Sequence, residues 1–376
     1  MTSPLFTPLT IRGVTLANRF VMPAMQRGHC VDGAPTEALA DYYRRRAEGG
    51  VALVIGESCA VDHVSATNQP TSARMNAATK AGWARCVDAV RGAGGQMLIQ
   101  LWHEGALRVG ADDVTISPSG RAHAARANGR AASTAEIHEL RDAFVAAARD
   151  AADIGAAGIE IHACHGYMLD QFLWRETNDR GDGYGGDDIR DRARLPAEIA
   201  AGVRAECGED FLISFRFSQW KEVDYAARIA ADPAELEALV TLMRDAGADM
   251  IHASARRFWE PEWPGDPRGI AGWTRALSGL PTIAVGSVGL DIDVMTQFIE
   301  GGEGASRPLE SIEALEQRMA AGEFDLVAVG RAVIGDPDWV NKVRDRRYGD
   351  IRPFERADLG ALSWNLDIVH EAHGVN

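Results

Sequence analysis

Cysteine is scarce: the 376-residue chain has five, Cys30, Cys59, Cys86, Cys164 and Cys207, widely scattered and without a C-x-x-C pair. That argues against a zinc ribbon or a clustered iron–sulfur site and suits a reducing compartment. Long apolar runs are also missing. None approaches the roughly 18 residues of a membrane span, and MTSPLFTPLTIRG lacks the basic-then-apolar layout of a signal peptide, so the expected location is cytoplasmic. Basic residues are in deficit, 39 Lys and Arg against 54 Asp and Glu, for a formal charge of −15. Such a surface repels phosphate backbones and anionic lipid, which argues against nucleic-acid and membrane partners. No Walker sequence is present. Gly301, Gly302 and Gly304 make only a fragment of a dinucleotide fingerprint, and they follow a helix-like segment rather than a strand.

What is present is a β-then-α rhythm. Eight short apolar runs read as strands: 19–25, 51–57, 96–102, 158–164, 211–217, 250–255, 281–287 and 326–331. They are apolar throughout rather than alternating, as parallel strands covered on both faces are. Helical periodicity fills the spacers, for example over 135–152 and 233–246. The expected fold is α/β, a (β/α)₈ TIM barrel forming one domain over residues 1–376. Two departures from the repeat are expected to be insertions. His103 to Ser133, after the third strand, is too long for an ordinary loop and reads as a lid; Gly289 to about Glu323, between strands seven and eight, reads as outer decoration.

Ile161-His162-Ala163-Cys164-His165-Gly166-Tyr167 falls at the end of the fourth strand, the end of a barrel where catalysis occurs. Two imidazoles and a phenol in six positions are costly to bury unsatisfied. They suit either of two chemistries. A metal-dependent hydrolase would need a third ligand, for which Glu57 lacks an obvious companion. Alternatively, the imidazoles donate hydrogen bonds to a carbonyl or nitro oxygen while the phenol protonates an adjacent carbon. Elsewhere, Arg216 is a cation inside an apolar run and needs a partner, either a carboxylate such as Glu160 or a ligand. Gly286-Ser287 and Gly330-Arg331 end adjacent strands where barrels often hold a phosphate. Gln100 and Trp102 share strand parity and so face the same way.

LFTPLTIRGVTLANRFVMPAM, LIQLWHEG, AAGIEIHACHGYMLDQFL, NDRGDGYGGDDIRDR, FRFSQW, AVGSVG and DLVAVGRAVIGDPDW, in that order and over nearly the whole chain, resemble the old yellow enzyme family of FMN-dependent ene-reductases. The resemblance implies that NAD(P)H reduces bound FMN and that an activated alkene or nitro compound is then reduced in the same pocket. His162 and His165 are implied to hold the substrate oxygen, with His at the second position where the family has His or Asn, and Tyr167 to supply the proton. Gln100 matches the residue on the flavin pyrimidine edge, Arg216 the cation beside flavin N1 and O2, and Trp102 a pocket-lining position. Pro23, Ala24, Met25 and Gln26 match the segment along the flavin ring, with Ser58 close by. Gln26 stands where Thr or Cys is common. Gly286, Ser287, Gly330 and Arg331 are implied to hold the FMN phosphate. Nitro or nitrate-ester reduction remains an alternative within the family. Arg256, Arg257, Phe258, Trp259 and Trp263 form a basic-aromatic cluster at the barrel mouth that suits either ligand entry or a homodimer contact, and NDRGDGYGG reads as a structural loop.

Overall fold

The computed structural model describes residues 3–110, 114–293, 296–297 and 304–362. Its frame is a closed ring of parallel strands: β1 (Phe20–Met22), β2 (Leu53–Ile55), β3 (Gln96–Trp102), β4 (Gly158–His165), β5 (Leu212–Lys221), β6 (Met250–Ser254), β7 (Thr282–Val285) and β8 (Leu326–Ala328). Each pairs with its sequence neighbour, and β8 closes against β1. All eight coincide with the apolar runs of the sequence. Most are shorter than those runs, because the terminal residues leave the ladder for the loops. β3 matches its run, β4 extends one residue past its own to His165, and β5 continues through Lys221.

Helices cover the ring. Ser133 and Glu136 close a capping box at the start of Thr134–Asp153, and Asp232 caps Pro233–Asp245, satisfying orphan N–H groups at both starts. The amphipathic segment expected as decoration is the helix Pro308–Ala320, which buries Ile312 and Leu315; the GGE before it lies outside the described residues.

Period-two alternation divides each strand between two cores. Val21, Leu53, Ile55, Leu98, Leu212, Met250, Ile283, Leu326 and Ala328 form the lower barrel interior. A hairpin of Leu9–Ile11 against Val14–Leu16, absent from the sequence reading, packs Ile11 and Leu16 against that cluster. One step further along the strands the interior turns polar. Gln100, Glu160, His162, Ser214, Arg216, His252 and Ser254 are all buried. The region expected as a lid forms two short ribbons, Ile116–Ser117 with Arg130–Ala131 and Arg121–His123 with Arg126–Ala127. Arg180 of NDRGDGYGG fastens it by donating to the carbonyls of Pro118 and Ala132. Asn178 bridges the carbonyls of Phe172 and Tyr184.

Candidate active site

Strand register assembles the polar layer. Glu160 pairs with Gln100 and Ser214 across the ladder, and Arg216 with His162 and His252. Glu160 is held by Gln100 Nε2 at 2.7 Å, His252 Nδ1 at 2.8 Å and Ser214 Oγ at 3.0 Å. Burial alone would raise its pKa, but the His252 and Arg216 charges and these hydrogen bonds hold it down at about 2. Glu160 is thus satisfied without a direct contact from Arg216. The guanidinium reaches only Ser254 Oγ, at 3.5 Å, and its buried Nε has no partner. Of the two readings for Arg216, the geometry favours a ligand.

His162 is buried with both ring nitrogens unpartnered. Its ring centroid lies 5.7 Å from that of His165 and 5.2 Å from that of Tyr167. Burial, then the charge of Arg216, lowers its pKa to about 3, so the imidazole is neutral and has one N–H to give. At His165 the chain turns left-handed, φ +64°, and the β4 ladder shifts register. That turn brings the ring to the side of His162, where it stacks on Trp220 at 4.5 Å. His165 Nε2 lies 2.9 Å from Ser254 Oγ. Arg216 can only donate to that hydroxyl, so the hydroxyl hydrogen is available to His165 Nε2, and in that tautomer Nδ1 carries the ring proton. Burial and Arg216 also keep His165 neutral.

Tyr167 packs edge-on against Trp102 at 5.3 Å, and its hydroxyl reaches Glu222 Oε2 at 3.5 Å. Burial, then the Glu222 charge, pushes the phenol well above its ordinary value, so its proton is retained in the resting site. Gly166, just before it, donates to Asp170 Oδ2 at 2.6 Å. Asp170 in turn takes Lys221 Nζ at 2.7 Å in a wholly buried ion pair. Sequence reading missed Lys221, Asp170, Glu222, His252 and Ser254. A lysine at a strand end looks exposed until the ladder is known to continue that far.

Beside this trio, the strand ends bound a cleft of about 710 Å³, including its open mouth. Pro23, Ala24 and Met25 line it together with His165, Arg216, Gly286, Ser287, Gly330 and Arg331. Gly286 has φ +146°, and a Cβ there would sit 2.9 Å from Ala255 O and Phe258 N. Ser287 follows at φ +53° and ties its hydroxyl to Arg256 O. Arg331 is lowered to about 10 by burial and is held by Gln297, Ile292 O and Ser287. Ser58 and Gln100 bond each other at 2.7 Å and are not among the residues that line the cleft. Gln26 is exposed and donates to Ser72 at 3.1 Å, away from the cleft. Glu57, weighed above as a metal ligand, is buried and receives Arg27 N, Gly28 N and Cys30 Sγ. Arg256 lines the cleft and pairs with Asp293, as does Arg257.

Unsatisfied groups on buried Arg216 and His162, a cradle that admits no Cβ at Gly286, and a half-buried arginine just after β8 fit an anionic, polar-edged cofactor. The class these features define is a flavin-binding β/α barrel. The model of the NADH:flavin oxidoreductase / NADH oxidase family matches residues 4–304, and the chain belongs to that family, the old yellow enzymes. An NADH oxidase of Thermoanaerobacter brockii is 31% identical over 95% of this chain and 53% of its own length, so the chain spans about half of that relative. The 12-oxophytodienoate reductase 7 of Oryza sativa subsp. japonica is 29% identical over 91% of this chain and 88% of its own. Morphinone reductase superposes with a TM-score of 0.76 at 24% identity over 96% of this chain and 93% of that one. Old Yellow Enzyme from Pichia sp. AKU4542 superposes at 0.77 and 20% identity over the same shares. The chain is therefore an FMN-dependent NAD(P)H oxidoreductase, which replaces the hydrolase reading of His162 and His165. Among the described residues, no helix is long and apolar enough to cross a membrane.

Proposed function

We propose that this chain reduces the carbon–carbon double bond of alkenes activated by a carbonyl or nitro group, with His162 and His165 holding the activating oxygen and Tyr167 protonating the α-carbon. The unpartnered nitrogens of buried His162, within ring contact of both His165 and Tyr167, carry this reading. A buried donor without an acceptor costs about 1–3 kcal/mol, which a substrate oxygen returns on binding. As charge builds on that oxygen, two fixed N–H donors stabilise it and draw electron density from the alkene. The phenol of Tyr167, firmly protonated and close to His162, then gives its proton to the carbon.

FMN, when bound, would supply the two-electron chemistry that links NAD(P)H oxidation to alkene reduction. Pro23, Ala24 and Met25 would flank it, and Arg216 would face its polar edge. Ser58 and Gln100 would form a further hydrogen-bonding pair; only one hydrogen of the Gln100 amide nitrogen is committed, to Glu160. Gly286, Ser287, Gly330 and Arg331 would hold the phosphate. Gln26, bonded to Ser72, falls outside this set. Trp102 bounds the substrate side by packing on Tyr167. The ribbons of 116–131 would act as a lid.

Anaerobic reduction of the yellow protein by NAD(P)H, followed by 2-cyclohexenone or a nitroalkene in stopped flow, tests the reading. Rapid return of the oxidised absorbance is expected. A protein that NAD(P)H reduces but that no enone or nitroalkene reoxidises overturns it.

A further inference from the structure

Strand parity puts Cys164 on the same side of β4 as His162, and the left-handed turn at His165 swings the second ring round to them. One ring nitrogen from each histidine and the Cys164 sulfur lie within 4.8 Å of one another. Nothing in the chemistry above uses the thiol. Cys164 is fully buried, and His162 has no bond to either nitrogen, so at least one lone pair in this group is uncommitted. His165 is adaptable as well. If the Ser254 hydroxyl accepts rather than donates, Nε2 carries the proton and Nδ1 presents a lone pair.

We propose that His162, Cys164 and His165 form a binding site for a borderline-soft divalent cation of the Zn²⁺ type, and that the bound ion shuts the reductase by occupying the place of the substrate oxygen. Two imidazoles and a thiolate are a ligand set zinc favours, and three protein ligands leave a fourth position open towards the pocket. Tetrahedral zinc holds such donors about 3.5 Å apart, so side-chain rotations of roughly an ångström close the set. Binding replaces the thiol hydrogen, so each ion taken up releases one proton, and inhibition tightens as pH rises. Arg216 and Lys221 oppose a cation here, while Glu160 and Asp170 favour it. The Ser254 hydroxyl on His165 serves as the outer hydrogen bond that orients a ligating imidazole.

The inhibition arm rests on the proposed role of the two histidines; the binding arm does not. Equilibrium dialysis of the FMN-loaded protein against Zn²⁺, with metal analysis, is run on His123→Ala with Cys164 intact and on the same background carrying Cys164→Ser or Cys164→Ala. That last change disables the separate rim cluster of His123, Glu176 and Asp224. One Zn²⁺ per chain is expected with Cys164 present, and binding weakened about tenfold or more without it. Zn²⁺ should inhibit enone-driven reoxidation competitively, reversibly with EDTA, and far less in both Cys164 variants, whose metal-free turnover stays near wild type. Equal zinc binding with and without Cys164, or no stoichiometric binding, overturns the site. Binding without inhibition overturns the blocking role. Should the protein reduce no enone at all, dialysis alone still decides whether the cation site exists.

Discussion

Tyr167 and His162 divide the proposed reaction between proton and oxygen, and kinetics can separate them. Tyr167→Phe should slow reoxidation by 2-cyclohexenone by about 10²- to 10⁴-fold, the usual range for a positioned acid, while reduction by NAD(P)H stays within about twofold. Equal slowing of both half-reactions would argue for a structural phenol. His162 leaves a second signature in the pH dependence of stability. Its folded pKa of about 3 lies below the ordinary value near 6.5, so the unfolded chain binds the extra proton first. The stability tied to neutral His162 is complete above pH 6.5 and is lost as pH falls towards 3, at about 1.4 kcal/mol per unit. Urea unfolding at saturating FMN should therefore show the wild type losing about 2 kcal/mol more than His162→Asn between pH 7 and pH 5. Parallel losses would mean that the imidazole is not desolvated as the structure has it.

At the scale of elements, the site depends on how strands end. Because β5 runs on to Lys221, the ammonium lies fully buried against Asp170, and Asp170 holds the N–H of Gly166 just before the Tyr167 phenol. Lys221→Met strands a buried carboxylate and should cost about 3–5 kcal/mol in urea unfolding; adding Asp170→Asn should recover part of it. On β7, Gly286→Ala forces a Cβ to 2.9 Å from two backbone atoms at a positive φ, so weakened FMN retention is expected, read by dialysis and absorbance. Much at this scale was legible beforehand. All eight strands were visible as apolar runs, and strand-end placement singled out His162, His165 and Tyr167. The Lys221–Asp170 pair was not, because its residues are 51 apart and look like ordinary surface charges. Nor was the Glu160–His252 pair, which requires knowing that β4, β5 and β6 lie side by side in register.

For the molecule as a whole, cofactor and fold are linked by mass action. FMN at 100 times its dissociation constant should add about 2.7 kcal/mol and raise Tm accordingly, and Arg331→Ala should shrink that gain without changing the Tm of the stripped protein by much. An equal Tm with and without FMN would deny the linkage. The βα rhythm determined the barrel from the chain alone, since periodicity is written along it, and the flavin class came from the family resemblance that the ordered motifs carry. Tertiary structure decided which polar groups stay unsatisfied. It assigned Gln100, Ser214 and His252 to Glu160, left Arg216 and His162 open, and turned Gln26 to Ser72. Those choices depend on register between strands distant in sequence, and no local pattern encodes them.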